Sequence, residues 1–411
     1  MRRTGLSWLG SFGQFVLVAG VLFGLSIANY RLAVQAPGGN DFLARWVGAN
    51  QWLVHGLDPY SPQVSLEAQT LIYGRPAERE AGEDVAHFAY PLFSMLFFGP
   101  FGLIPYPLAR ALWMTLLEVA LPVLAILGIQ LCGWKPAPWI QRILILFSVL
   151  WYPGFRAVIL GQFAVIEAVL IIGALLAIQR RQDGVAGVLL GLTLSKPQMA
   201  VLLIPFVFLW AVSTRRLQIL AWGIGTMVLL LAASLALIPS WPTEWARQII
   251  DYTSYTAVGP PVSILAGLIP SGAVPITLVL TGVGLVYLAF VWQQALGKED
   301  RWFQWTAAVT IAMTNLIALR TATTNYVVML PAFSLVFTVW NERWGRRATP
   351  PILITLFGLF VGLWTLFLIT VEGNQEHPAL YLPVPLLSLA GLWWSRWWVL
   401  RKLKMGVRDN P

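Results

Sequence analysis

YPLFSMLFFGPFGLIPY, residues 90–106, sets the side of the membrane on which every later loop falls. It makes up most of an apolar run at 89–105 that is short for a membrane span and broken by Gly99-Pro100. A helix that crosses hydrocarbon needs roughly 17–25 apolar residues. If this run crosses, every later loop changes side, and Arg180-Arg181, Arg215-Arg216 and Arg343/Arg346/Arg347 fall outside. If it is re-entrant or interfacial, those arginines join Arg2 and Arg3 on the inner side. That second arrangement places 18 of the 27 Lys and Arg residues inside, as the positive-inside rule demands.

The surrounding composition explains why a bilayer is the solvent to consider. The 411 residues are 58% hydrophobic and 11% charged, with 21 Trp and 21 Phe. A soluble domain carries about 25% charged residues. The mean hydropathy of +0.71 excludes disorder and leaves too little polar surface to cover a soluble enzyme. A single cysteine, Cys132, excludes an internal disulfide and a Cys-rich metal site, and three histidines (His55, His87, His377) argue against a multi-histidine centre. The net charge of +9 is scattered between apolar runs, which suits membrane topology better than nucleic acid.

Outward from 90–106, apolar runs predict twelve spans with both termini cytoplasmic. They lie near 11–32, 107–131, 142–155, 162–179, 184–196, 198–213, 217–238, 274–297, 303–319, 326–340, 351–371 and 379–395. The first run lacks a small-residue cleavage site and reads as a retained span rather than a signal peptide. The stretch 184–213 reads either as a short pair or as one long helix. No internal repeat or linker divides the chain. The expectation is an all-α multi-pass membrane protein forming one domain over 1–411, with 33–106 as a first outer loop. On this topology all three histidines fall outside, and only Asp183, Glu299, Asp300, Glu342 and Asp409 among the acids fall inside.

The outer loop begins GGNDFLARWVGANQWLVHGLDPYSPQ, residues 38–63. Phe42, Leu43, Trp46, Val47, Leu53 and Val54 recur near helical spacing, opposite Asp41, Arg45, Gly48, Trp52 and His55. This predicts an amphipathic helix in the membrane interface, apolar side down, stopped by the turn Gly56-Leu57-Asp58-Pro59-Tyr60. Asp41 has two readings, a helix N-cap after Gly38-Gly39 and a catalytic base at the membrane surface. Asp58 reads as a turn residue or a substrate contact. His55 reads as an interface residue, a proton donor or a phosphate ligand.

NDFLARWVGANQWLVHGLDPYSP resembles the first outer loop of glycosyltransferase family 87, the polyprenol-phosphate-mannose-dependent mannosyltransferases of the GT-C superfamily. Similar elements follow in order: FAYPLFSMLFFGPFGLIP (88–105), ALWMTLL (111–117), YPGFRAVILGQFAVIEAVLI (152–171) and AGVLLGLTLSKPQMAVLLIPF (186–206). The resemblance covers about residues 40–215. It implies a GT-C-type helical bundle, a polyprenyl-phosphate sugar as donor, a glycolipid or glycan acceptor, and an active site on the extracytoplasmic side of the plasma membrane. It also implies that Asp41 is the base. Inverting transfer needs one such base and no covalent intermediate.

Such a reaction also needs cations for the leaving phosphate. Lys196 ends a short apolar run before Pro197, where a lysine is expensive unless it meets an anion or water; the alternative is a snorkelling side chain. Arg156 lies between Pro153-Gly154 and Gly161-Gln162, and Arg320 precedes the polar run 321–325. Gln162 matches the family's G-Q element, or is a cap-region residue. Glu167 is an intramembrane carboxylate, a functional candidate or an ion-pair partner, and it ranks above Glu118 because it lies nearer the outer face. Arg45, His55, Asp58, Tyr60, His87, Tyr90 and Asn325 complete the candidate substrate-binding set. One departure stands out: the loop LRTATTNYVVMLPAF (319–333) holds Asn325 and Tyr326 where family members carry a histidine. His87, Arg320 or His377 could replace it.

No cofactor beyond the donor is expected, although Asp41, Glu83, Asp84 and His87 leave a divalent metal open, with a solvated loop as the plainer reading. Trp241, Trp245 and Tyr252 with Glu244, Arg247 and Asp251 suggest a second interfacial helix within 239–262 that covers the lipid site, or a plain aromatic belt. The rival from another class is a lipid or solute transporter or flippase, against which the absence of repeated halves counts. A different lipid-linked enzyme, of O-antigen-ligase-like type, is a third reading.

Overall fold

A computed structural model describes residues 4–36, 38–255, 259–269, 272–299, 301–318, 322–373 and 376–401. In chain order the first helices are α1 (Thr4–Gln35), α2 (Asn40–His55), α3 (Pro62–Tyr73), α4 (Met95–Gly102), α5 (Tyr106–Leu131) and α6 (Pro138–Leu150). They are followed by α7 (Tyr152–Leu160), α8 (Ala164–Gln179), α9 (Asp183–Leu192), α10 (Leu203–Ser213), α11 (Leu217–Leu237) and α12 (Trp241–Tyr255). The last are α13 (Val262–Ala266), α14 (Ala273–Ala295), α15 (Arg301–Ile317), α16 (Leu330–Trp344), α17 (Thr349–Thr370) and α18 (Pro383–Leu400). No strand occurs among the described residues.

Among the described residues, five stretches are long and apolar enough to cross a membrane: Val16–Gln35, α5, α11, α14 and Thr323–Thr370. The pair α6–α7, bent by 48°, makes a sixth if it counts as one span. The last stretch comprises α16 and α17 around a turn at Gly345–Ala348. Three of the expected spans, 162–179, 184–196 and 198–213, correspond to shorter apolar helices, α8, α9 and α10. The stretch 184–213 resolves into a pair, α9 and α10, separated by 3₁₀ turns at Thr193–Ser195 and Pro197–Met199. The deciding stretch 90–106 forms a 3₁₀ turn and the eight-residue α4, with Pro100 inside it. At 1.5 Å per residue, about 12 Å of helix cannot cross a hydrocarbon core of about 30 Å.

The chain packs as two compact units. The first comprises residues 1–119, 158–162 and 238–256, and the second residues 120–157, 163–237 and 257–411. In the first unit α2 is the central helix. Leu43, Ala44 and Val47 pack with Val64 and Ala68 of α3 and with Ala86. On its other side Phe88 lies over Gly48, and Gly102 of α4 rests on Ala49.

The two faces of α2 differ in detail from the expected ones. Gly48 sits on the face assigned to water and is buried, while Leu53 and Val54, assigned to the apolar side, are exposed. The small side chains at 48 and 49 let neighbours approach closely, so α2 is covered on two sides. Asn29 of α1 donates to Thr115 Oγ1 (3.1 Å) and Glu118 Oε2 (2.9 Å) of α5. Glu118 therefore ties two apolar helices together.

In the second unit, α9 and α11 pack tightly. A side chain at Gly187 would strike the Ile219 carbonyl, and one at Gly191 would strike Thr226. Small residues at helix contacts are the usual means of close packing within a bilayer. A second core joins α14, α15, α16 and α18 around Trp305, whose indole N–H donates to the Leu392 carbonyl (2.8 Å).

Candidate active site

In the first unit, the backbone before α2 turns on Gly39, whose φ of 70° is left-handed, and the Gly39 carbonyl accepts from the N–H groups of Phe42 and Leu43 at 2.8 Å. Gly39, not Asp41, occupies the capping position. Asp41 lies in the first turn, where the helix dipole favours a carboxylate. Beneath this turn lies Arg110 of α5, 3% exposed, donating to the Ala36 carbonyl at 2.7 Å. Tyr106 donates to the Gly38 carbonyl at 2.7 Å. Arg110 was missed in the sequence because it reads there as a lone cation at the start of a span. It packs so closely that a Cβ on Gly39 would lie 2.9 Å from its Nε.

Phe42, the next residue after Asp41, stacks on Trp113 with ring centroids 5.0 Å apart. The Trp113 indole donates to the Gly161 carbonyl (2.9 Å). Gly161, at φ 69°, sits so near Phe42 that an added Cβ would lie 2.5 Å from the Phe42 Cβ. The residue after Asp41 thus meets the residue before the buried Gln162, across 119 positions of sequence.

Other candidates of the loop join the same unit. Arg45, one turn along α2 from Asp41, lies over the Tyr90 ring at 4.7 Å. Tyr60 donates its hydroxyl to the Tyr90 carbonyl (2.6 Å), and Asp58 accepts from the Tyr60 N–H (2.8 Å). Burial, and then the Asp58 charge, push the Tyr60 phenol well above its usual range, so it remains a donor. Asp58 therefore makes the turn that sequence reading gave as one of its two roles. His55 is exposed at the far end of α2, about 21 Å along the axis from Asp41. The structure does not bring these two together.

His87 pairs with α12 instead. Its Nε2 is 2.8 Å from Asp251 Oδ2 and its Nδ1 is 2.9 Å from Ser65 Oγ. Arg79 binds the same carboxylate through two bonds of 2.7 Å. These bonds, Arg79 foremost, hold the Asp251 carboxyl below the usual aspartate range against a smaller opposing effect of burial. Of the four metal-ligand candidates, Glu83 is engaged by Arg75 (2.9 Å) and His87 by Asp251. No group of three or more His, Cys, Asp or Glu able to hold a metal occurs among the described residues.

The second unit holds the remaining candidates. Lys196 is 4% exposed, between the two 3₁₀ turns, and so is not a snorkelling side chain. It is the charge acting on Glu167, which is fully buried in the first turn of α8 with neither carboxylate oxygen hydrogen-bonded among the described residues. Asn325 is 1% exposed in the turn Thr323–Met329, which packs on α8, and its Oδ1 also has no partner among the described residues.

Arg156 is paired. Its Nε lies 2.7 Å from Glu376 Oε1 in an ion pair, and that oxygen accepts hydrogen bonds from Tyr152 (2.7 Å) and Thr323 (2.9 Å). Sequence reading missed Glu376, which sits in the loop after α17 with no local pattern to mark it. His377, a proposed replacement for the family histidine, caps the turn Pro378–Tyr381 by accepting from the Ala379 N–H (3.2 Å). Arg320 lies outside the described residues.

Residues 88–260 match the model of glycosyltransferase family 87, and over that range the resemblance read from the sequence is shown. The family implies a membrane glycosyltransferase with a sugar donor and a glycan or lipid acceptor. The match contains four of the five resembling elements and begins after the loop that carries Asp41. No curated protein and no solved structure matches the chain.

Proposed function

We propose that the chain transfers a hexose, mannose in this reading, from a polyprenyl-phosphate donor to a glycolipid or glycan acceptor outside the plasma membrane. It acts as one integral membrane domain of GT-C type with twelve spans and both termini cytoplasmic. The observation that carries the reading is the meeting of Phe42 with Gly161. It draws the residue beside Asp41 and the residue beside Gln162 into one packed contact.

Asp41 accepts the proton as the acceptor hydroxyl attacks the anomeric carbon, with inversion and no covalent intermediate. Lys196, Arg156 and Arg320 meet the leaving phosphate. Arg156 is paired with the Glu376 carboxylate and the Lys196 charge acts on Glu167, so a phosphate at either cation would compete with a carboxylate already there. Glu167 and Asn325 present buried oxygens that gain most from a hydroxyl-bearing ligand. Arg45, Tyr60 and Tyr90 shape the acceptor side, with His55, Asp58 and His87 as further contacts of the same loop.

The test uses the purified chain with polyprenyl-phosphate radiolabelled mannose and an envelope lipid and glycan extract. Label in a new covalent product is expected. Label that changes leaflet in vesicles without leaving the polyprenyl phosphate would contradict transfer and favour a flippase.

A further inference from the structure

The first unit also holds an open pocket that Asp41 does not line. It is a pocket of 620 Å³ lined by α3, the 77–87 loop and α12, within the usual range for small-molecule sites. Its charged lining residues are Arg79, Arg247, Glu244 and Asp251, with His87 and Tyr60 in the wall. The charges pair within the lining: Arg79 with Asp251 of α12 at 2.7 Å, and Arg247 with Glu244 one turn away on α12 at 2.7 Å. His87 adds a third bond to Asp251.

The walls are held by two amides spent on backbone. Gln69 donates to the Val85 carbonyl (2.9 Å) and accepts from the Ala77 N–H (2.9 Å). Gln248 donates to the Tyr60 carbonyl (3.0 Å) and accepts from the Ala89 N–H (3.0 Å).

We infer that this pocket binds a neutral saccharide, as the acceptor-glycan subsite of the transfer reaction, on which reading the assignment to an acceptor rests. Two cations balanced by two carboxylates give no net attraction for an anion or a cation. A phosphate would have to displace Asp251 from Arg79, and an amine would have to displace Arg79 from Asp251. Paired carboxylates and guanidiniums still offer oxygen lone pairs and N–H groups, which suit the adjacent hydroxyls of a sugar. The pocket also connects to the base through side chains. Tyr60 in its wall bonds the Tyr90 carbonyl, the Tyr90 ring carries Arg45, and Arg45 is one turn from Asp41.

The full chain in detergent is titrated with α-mannotriose and maltotriose as neutral probes, a heparin-derived disaccharide as anionic probe and a glucosamine trimer as cationic probe. A neutral trisaccharide is expected to bind in preference to both charged probes. The double variant Glu244→Ala/Arg247→Ala removes the most exposed pair and is expected to weaken that binding about tenfold with an unchanged Tm. Arg79→Gln, which disturbs the other pair, is expected to weaken it as well. Failure of both neutral probes, preference for a charged probe, or wild-type binding by both variants would overturn the inference. If mannotriose binds but no label leaves the donor, the transfer reading fails and the saccharide pocket stands. If label is transferred while both pocket variants keep the wild-type acceptor KM, the pocket assignment fails and transfer stands.

Discussion

At the scale of single residues, Lys196 and Glu167 carry the largest electrostatic stake. Both are buried, one in a break between α9 and α10 and the other in the first turn of α8. The Lys196 charge acts on the buried Glu167 carboxyl, so substituting the lysine changes the environment of both groups. Lys196→Met is therefore expected to lower Tm in detergent markedly, and Lys196→Met/Glu167→Gln to recover much of the loss. A Lys196→Met protein with wild-type Tm and reduced donor use would separate the lysine from Glu167 and leave it to the donor alone. The lysine was legible in the sequence because Ser-Lys-Pro interrupts an apolar run. Arg156 was legible for the same reason, but Glu376, its partner 220 positions away, carries no local signal.

At the scale of elements, the helix over 40–55 and its glycine stop were legible from periodicity and from Gly56. Its packing was not. A period of 3.6 sorts apolar from polar residues, and it cannot say that Gly48 and Ala49 will be covered by Phe88 and α4 because they are small. The contact of Gly161 with Phe42 is the sharpest test of that packing. A left-handed alanine costs about 1–2 kcal/mol, and the crowding against Phe42 adds to it. Gly161→Ala is expected to lower both Tm and transfer, whereas wild-type behaviour would show that the two segments do not meet.

The α12 clamp has a pH signature. Because the Asp251 pKa is depressed in the folded chain, its contribution to stability is present above the unfolded value of about 3.9 and is lost as pH falls through the lower folded value. The Tm difference between wild type and Asp251→Asn should be present at neutral pH and be lost as pH falls through the carboxylate range. A difference that vanishes near neutrality would contradict the assignment.

At the scale of the whole molecule, low charge and broken apolar runs were enough to read an all-helical membrane chain and to place its interruptions at 90–106 and at Lys196. They did not foresee how few helices reach span length. Counting apolar runs does not give helix lengths: α8, α9 and α10 are shorter than a full span, with Glu167 in the first turn of α8 and Lys196 in the break between α9 and α10. The ordered elements at 88–206 were the part of the functional reading that the family match then supported. The loop before residue 88, with the proposed base, stands on its own geometry.

Asp41→Asn is the substitution that bears most directly on the transfer reading, since it keeps the size and polarity of the side chain and removes its capacity to take a proton. Purified wild-type and Asp41→Asn proteins, matched in Tm, are given polyprenyl-phosphate radiolabelled mannose and the envelope extract. The variant is expected to lose about 10²–10⁴-fold in transfer rate while binding the donor normally. Transfer at the wild-type rate would contradict the assignment of Asp41 as the base.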